Sequence, residues 1–261
     1  MGLPNIGLRF APLACVALFF LASCSTGSLE QSKDEKLGLL YFHSGNEELQ
    51  SGNTTLALKN LQLANKHLPK NEDVLISLGI AYFRKGDVRA AEASLRKALE
   101  MNPENNFARN NLAAIYIETN RLDAAQKEVN IALKDLSFTD QYKVLFNLAV
   151  IQEKKGLPLR AEQSLQKSLV ENPNFCPGWM KLSELQMRLS KRAEALDSLR
   201  SGSNGLCYSN PQTHYQLGLL LQQMNDLTGA QEKFDEVARR FPKSPWAKLA
   251  TEKLSLLRER N

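Results

Sequence analysis

A unit of about 34 residues recurs along most of the chain, and this repeat restricts the fold more than any other feature. Each copy has an alanine at the same position, and successive alanines lie 34, 34, 36, 34 and 35 residues apart. They are Ala57, Ala91, Ala125, Ala161, Ala195 and Ala230. A unit this short cannot bury its apolar side alone, so the copies must stack to form a continuous core.

Three further positions keep the same register. A small residue precedes each alanine by twelve positions, a bulky apolar residue follows it by four, and proline follows it by twelve in four copies. Small residues let two helices approach closely where they cross, and proline ends the second helix. Gly86 and Gly156 lie at the turn between the helices, where a positive φ favours glycine. Each copy is therefore predicted to be a helix–turn–helix hairpin.

This period and pattern resemble the tetratricopeptide repeat. The resemblance implies an all-α fold, a right-handed superhelical solenoid of six repeats followed by a capping helix at residues 245–261. The predicted repeats are 38–71, 72–105, 106–139, 142–175, 176–209 and 211–244. The third repeat lacks its closing proline, and two residues are inserted after it.

Composition agrees with a folded helical chain. Hydrophobic residues make up 43% of the sequence, charged residues 23% and aromatic residues 7%. These values exclude a disordered tail protein and favour helices over strands. A net charge of +5 over 261 residues is too weak to indicate a nucleic-acid partner.

The first 23 residues read as a secretory signal peptide. Arg9 precedes a mostly apolar run that ends at Ala22, and this run is shorter than the roughly 20 residues of a bilayer-spanning helix. Leu21-Ala22-Ser23-Cys24 then resembles the lipobox of bacterial lipoproteins. An ordinary signal peptide with a chance cysteine is the alternative.

The lipobox resemblance implies that Cys24 carries the lipid anchor. Because Ser25 follows it rather than aspartate, the resemblance also implies the outer membrane, with the protein facing the periplasm. Residues 24–37 are polar and lack periodicity, so they are predicted to form a flexible tether.

Cys176 and Cys207 occupy positions 1 and 32 of the fifth repeat. In a helical hairpin these positions are the entry of the first helix and the exit of the second, so they should be neighbours. In an oxidising periplasm we therefore expect a disulfide. Two reduced cysteines are the alternative, and a metal site is disfavoured because the chain has no CxxC and no histidine at ligand spacing.

No catalytic motif is evident. His43, His67 and His214 lie in different repeats, and the chain contains no HExxH, P-loop, GxGxxG or GxSxG sequence. We therefore predict a non-enzyme with no metal, no cofactor and no small-molecule substrate. A thiol hydrolase that uses Cys176 is the alternative, and a disulfide would remove its nucleophile.

In the tetratricopeptide-repeat family, fixed positions of each first helix line a binding groove. Mapped here, these positions imply a partner-binding groove at Phe42, Asn46, Ile80, Phe83, Asn110, Ala114, Ile117, Phe146 and Val150. The same positions further along include Met180, Met187, Tyr215 and Leu219. A groove this apolar suits a peptide or helix partner; the alternative is that some of these side chains pack between repeats.

Several segments resemble the type IV pilus pilotins, which are outer-membrane lipoproteins that help secretin pores assemble. The segments are Asn110-Asn111-Leu112-Ala113, Phe146-Asn147-Leu148, Lys167-Ser168-Leu169, Met180 to Leu185, and Arg240-Phe241-Pro242-Lys243-Ser244. The resemblance implies that the groove binds secretin subunits and promotes their outer-membrane localisation and multimerisation. Another periplasmic adaptor, a cell-wall synthase activator or a barrel-assembly helper, is the alternative.

Overall fold

The computed structural model describes the backbone of residues 24–258 and the side chains of residues 33–257. In that part of the chain there are thirteen α-helices, one short 3₁₀ helix and no strand. The chain divides into two compact units between Val74 and Leu75. The predicted signal peptide at 1–23 and the side chain of Cys24 lie outside the described residues.

The first unit is built on two packed helices, α1 (Cys24–Ser51) and α2 (Thr54–His67). Gly45 lies where they cross, and a Cβ atom added there would come within 2.7 Å of the Leu61 Cγ. The side chain of Asn53 caps α2 by accepting a hydrogen bond from the backbone N–H of Leu56. The first predicted repeat therefore contains the expected helical hairpin.

The prediction of a flexible tether at 24–37 is wrong, because α1 runs through this segment without a break. Its leucine, glutamate, glutamine and lysine residues are good helix formers, and the segment contains no proline. The packed part of α1 supplies a helical turn from which these residues continue. A helix rises about 1.5 Å per residue, so the segment spans less than half the length of an extended tether.

The second unit continues from α3 (Glu72–Lys85), whose first residues belong to the first unit. From α4 onward, each helix packs against the next. The remaining helices are α4 (Val88–Met101), α5 (Asn106–Glu118), α6 (Leu122–Ala132), α7 (Gln141–Lys154), α8 (Pro158–Glu171), α9 (Cys176–Arg188), α10 (Arg192–Ser201), the 3₁₀ helix (Gly205–Ser209), α11 (Pro211–Gln223), α12 (Leu227–Arg240) and α13 (Pro245–Arg258).

The repeated alanines and small residues form the contacts that stack each hairpin. All six alanines have no exposed surface. A Cβ added to Gly79 would lie 2.7 Å from the Leu95 Cγ, and one added to Gly218 would lie 2.8 Å from the Phe234 Cε1. In these hairpins the small residue and the bulky residue of the sequence pattern therefore lie directly opposite each other.

Each of the six turns between first and second helices contains one residue with positive φ. Gly86 and Gly156 are among them, at 86° and 75°, as predicted. The others are Gly52, Asn120, Ser190 and Asn225. The left-handed conformation is thus a property of every repeat, although glycine provides it in only three.

The junction between the third and fourth repeats differs from the others. Ser137 takes the place of the closing proline, and α6 ends at Ala132. The carboxylate of Asp135 accepts hydrogen bonds from the backbone N–H of Ser137, at 3.0 Å, and from the amide of Asn106, at 2.8 Å. These bonds provide the chain reversal that proline provides elsewhere.

Across the described residues, none of the helices combines the length and apolarity that crossing a membrane would require.

Candidate functional site

The first helices of the repeats carry the predicted groove, and within the second unit some of them are direct neighbours. Helix α5 contacts α7, and α11 contacts α13. Between α5 and α7, the amide of Asn147 donates hydrogen bonds to the Asn110 backbone carbonyl, at 3.2 Å, and to its side-chain oxygen, at 2.8 Å. We call the surface formed by the outward sides of α5, α7, α9 and α11 the first-helix face.

Most of the predicted groove residues of the second unit are only half-buried. Ile80, Phe83 and Val150 each pack against the core on one side and keep part of their surface accessible. Asn110, Ala114 and Phe146 are half-buried as well, and the Phe146 ring packs edge-on against Phe175 with a centroid distance of 5.3 Å. These side chains border the core and also contribute to the surface.

Two residues at predicted groove positions are buried, and their prediction as groove residues is wrong. Tyr215 is 6% exposed and belongs to the core cluster that includes Phe234. Ile117 is the other. Only 4% of its surface is exposed, and it belongs to the core cluster that includes Ile115, Tyr116 and Val144. Its side chain therefore belongs to the core and not to the outward side of α5. The repeat register alone does not distinguish a side chain that points outward from one that points into the core.

Phe42 and Asn46 lie on α1 in the first unit. Both are half-buried, and the Phe42 ring lies 5.7 Å from that of His43. Each keeps part of its side chain accessible on α1, as a groove position requires.

A pocket of about 450 Å³ lies between α9 and α11. This volume is within the range of small-ligand pockets. We call it the α9–α11 pocket. Its lining residues are Met180, Ser183, Glu184, Met187, Arg188, Leu199, Gln216, Leu219, Leu220 and Gln223. Met180, Met187 and Leu219 stand at groove positions of the repeat, so the pocket belongs to the first-helix face.

Charged side chains beside this pocket neutralise one another. The carboxylate of Glu153 on α7 pairs with Lys181 at 2.9 Å and also with Arg188. Lys181 lies 3.7 Å from Glu184 as well. Because Glu153 is only 13% exposed, its pairing with Lys181 is shielded from solvent more than a surface pair would be.

The two cysteines of the fifth repeat lie at the entrance of the helices that form the pocket. Cys176 is the first residue of α9, and Cys207 lies four residues before α11 begins. Their Cα atoms are 5.3 Å apart and the structure pairs their sulfurs. The pairing therefore connects the N-terminal ends of the two helices that form the pocket walls.

A second contact joins the same walls. Asn210 caps α11 through its side-chain oxygen, which accepts a hydrogen bond from the Gln212 N–H. Its amide nitrogen lies 3.4 Å from the thioether sulfur of Met180.

On the far side of α11, the buried Tyr215 ring packs against the Trp246 ring with a centroid distance of 5.3 Å. Burial together with the charge of Glu252 raises the pKa of the Tyr215 phenol.

The histidines occupy separate structural settings. His67 on α2 contacts Asp34 at 2.5 Å and stacks on Tyr41. His214 is buried, with its Nε2 2.8 Å from the backbone carbonyl of Tyr208. Among the described side chains, no group of three or more histidine, cysteine or acidic residues is arranged to hold a metal ion.

Comparison with known proteins agrees with the repeat architecture. Tetratricopeptide-repeat models match residues 84–145 and residues 212–244. The type IV pilus assembly protein PilF of Pseudomonas aeruginosa is 27% identical over 134 residues, which are 51% of this chain and 53% of that protein. The matched segment thus spans about half the length of this relative.

Solved structures match over a longer part of the chain. The structure of Pseudomonas aeruginosa PilF has a TM-score of 0.64 at 20% identity and covers 86% of this chain and 99% of that one. PilW, described as a widely conserved type IV pilus biogenesis factor, has a TM-score of 0.68 at 20% identity and covers 82% of this chain and 98% of that one. The prediction of an all-helical tetratricopeptide-repeat fold is confirmed.

A Rap protein, solved in complex with Competence and Sporulation Factor, is similar as well. Its TM-score is 0.60 at 13% identity, and the match covers 84% of this chain and 74% of that one. At this level of identity the likeness concerns the fold alone.

Proposed function

We propose that this tetratricopeptide-repeat protein is an outer-membrane pilotin of type IV pilus biogenesis. It binds secretin subunits through its first-helix face and promotes their localisation and multimerisation. The observation that carries this proposal is the sequence similarity to PilF over 134 residues, which extends beyond a single repeat. The half-buried apolar residues of the first-helix face supply a surface suited to a polypeptide partner.

The proposal requires no catalytic step. Binding a secretin subunit beside the membrane raises its local concentration there, and covering its apolar segments limits aggregation. The lipid on Cys24 supplies the membrane location, and acyl chains attached at one cysteine suffice for stable anchoring when more than one is present. Cys176 contributes as a structural residue, since its sulfur is paired with that of Cys207.

The experiment is deletion of the gene followed by complementation. In the deletion strain, secretin multimers should disappear from the outer-membrane fraction, and the wild-type gene should restore them. Cys24→Ala should yield a protein that takes up no palmitate and leaves the outer-membrane fraction, so complementation should fail or weaken. Ser23→Ala, which leaves the cysteine in place, is the matched control.

Normal secretin multimers in the deletion strain would overturn the proposal. Palmitate labelling of the Cys24→Ala protein, together with outer-membrane fractionation, would show that the anchor lies elsewhere.

A further inference from the structure

We infer that the α9–α11 pocket binds an extended, uncharged stretch of the partner polypeptide. One apolar side chain of that stretch enters the pocket, and its backbone bonds to Gln216 and Gln223. The inference rests on the proposed function for the identity of the partner. It adds a specific site, a ligand conformation and a ligand charge.

The apolar part of the pocket is formed by both helices and by α10 beneath them. Met180 and Met187 come from α9, Leu219 and Leu220 from α11, and Leu199 from α10. Unbranched thioether side chains adjust to apolar groups of different shape. The pocket therefore suits an aliphatic or aromatic side chain without demanding one particular residue.

The polar part of the pocket on α11 consists of carboxamides. Gln216 and Gln223 both line it, and α11 contains no Asp, Glu, Lys or Arg. Within the part of the chain that the structure describes, neither carboxamide has a hydrogen-bond partner. A carboxamide both donates and accepts, which matches the N–H and C=O groups of a peptide backbone.

The spacing of the two glutamines indicates an extended ligand. Seven residues along α11 correspond to about 10.5 Å. Three residues of an extended chain span about 10 Å, so its backbone can meet both carboxamides in turn. A helical ligand would leave them unused, because its backbone groups are already bonded within the helix.

The charged side chains that line and flank the pocket indicate that the ligand is neutral. Lys181 and Arg188 carry two positive charges, and Glu153 and Glu184 carry two negative charges, so the cluster has no net charge. Glu153 and Lys181, the two least exposed members, pair with each other. A charged ligand would have to disrupt these pairs, whereas a neutral segment leaves them intact. Binding of a neutral segment should therefore depend little on salt.

The test uses the lipid-free protein from Ser25 onward and fluorescently labelled synthetic peptides that tile the secretin subunit of the same organism. The tightest peptides should be uncharged and apolar at their centre. Their affinity should change less than about twofold between about 0.05 and 0.5 M sodium chloride. Gln216→Ala combined with Gln223→Ala should weaken them about tenfold or more, since two hydrogen bonds are lost.

The matched control is Gln163→Ala combined with Gln166→Ala on α8, where both glutamines are exposed and outside the pocket. This variant should bind like the wild type. Circular dichroism should report the same helical content for both pairs, because all four side chains are at least partly exposed.

Several results would overturn the inference while leaving the proposed function intact. They are full-length secretin binding that the Gln216/Gln223 variant does not change, a steep loss of peptide affinity with salt, and tight peptides that bind only as helices. Dimerisation that the Gln216/Gln223 variant abolishes and that no peptide reverses would also overturn it, because a second copy of this protein would then occupy the pocket. Failure of full-length secretin to bind the wild-type protein would instead overturn the proposed function.

Discussion

At the scale of single residues, the turn between the helices of each repeat imposes a backbone requirement that its residue type need not reveal. Gly86 and Ser190 occupy this turn in the second and fifth repeats, with φ of 86° and 62°. A side chain in the left-handed region costs about 1–2 kcal/mol, and glycine avoids this cost. Serine at this position therefore carries strain that glycine does not.

Exchanging residues at these turns should change the free energy of unfolding in opposite directions. Ser190→Gly should stabilise the protein by about 0.5–1 kcal/mol and Gly86→Ala should destabilise it by about 1 kcal/mol. A Cβ at Gly86 meets no other atom within 4 Å, so its effect reports backbone strain alone. Urea unfolding of both variants measures the two values, and equal signs would contradict the argument.

For single residues, the sequence pattern does not identify every positive-φ turn position or every buried side chain. Gly86 and Gly156 were recognisable from residue type, but Asn120, Ser190 and Asn225 adopt the same conformation without glycine. Ile117 shows the reverse case, since an apolar residue at a groove position turned out to belong to the core. A repeat register specifies the angle around a helix, whereas burial depends on the neighbouring repeat.

At the scale of helices, the fifth repeat is closed differently from the others. Helix α10 has ten residues, and a 3₁₀ helix carries Cys207 to the position where four other repeats have proline. The pairing with Cys176 therefore holds α9 and the entry of α11 together. Proline stiffens a single chain segment, whereas this pairing connects two segments that are 31 residues apart in sequence.

Removing this connection should destabilise the protein and loosen the α9–α11 pocket. In the protein from Ser25 onward, Cys176→Ser combined with Cys207→Ser should lower the free energy of unfolding by about 2–4 kcal/mol. Dithiothreitol should lower the free energy of unfolding of the wild type by a similar amount. It should leave the double variant unchanged, so the variant is the control for other effects of the reductant. Two free thiols in wild-type protein exported to the periplasm would contradict the prediction.

The sequence pattern also does not predict that α1 begins as early as Cys24. Residues 24–37 carry no apolar stripe in the sequence, and the side chains of residues 33–37 are exposed. Periodicity reports burial, so a solvent-exposed extension of a packed helix resembles a linker. Helix propensity together with the adjoining packed turns was the signal that pointed the other way.

At the scale of the whole chain, the 34-residue period accounts for the order of the helices, and within the second unit each helix from α4 onward packs against the next. The location of the α9–α11 pocket does not follow from the period. All repeats share the groove positions, and the pocket depends on which side chains fill them in the fifth and sixth repeats. The period predicts which helix positions can line a groove. The side chains that differ between repeats determine where along that groove a pocket forms.

Helix α13 is the last described helix, and it differs from the first helix of a repeat at one position of the pattern. Its eighth residue is Glu252, where each of the six repeats has a glycine, alanine or serine. A glutamate there would obstruct the close approach of a second helix, since even a Cβ atom added at the equivalent Gly218 would lie 2.8 Å from the Phe234 Cε1. Helix α13 packs against α11 and α12, and we expect it to act as a cap of the sixth repeat rather than as the first helix of another repeat.

The neighbouring leucines Leu256 and Leu257 separate the two sides of this cap. Leu257 is 1% exposed and packs into the cluster of Tyr215 and Phe234, whereas Leu256 is 54% exposed. Leu257→Ala should lower the free energy of unfolding by about 2–5 kcal/mol, and Leu256→Ala should change it by less than about 0.5 kcal/mol. Because stability passes between adjacent repeats, Leu257→Ala should also increase amide hydrogen exchange in α11 and α12 before it affects α5. Equal effects of the two substitutions, or uniform exchange along the second unit, would show that α13 does not act as a cap.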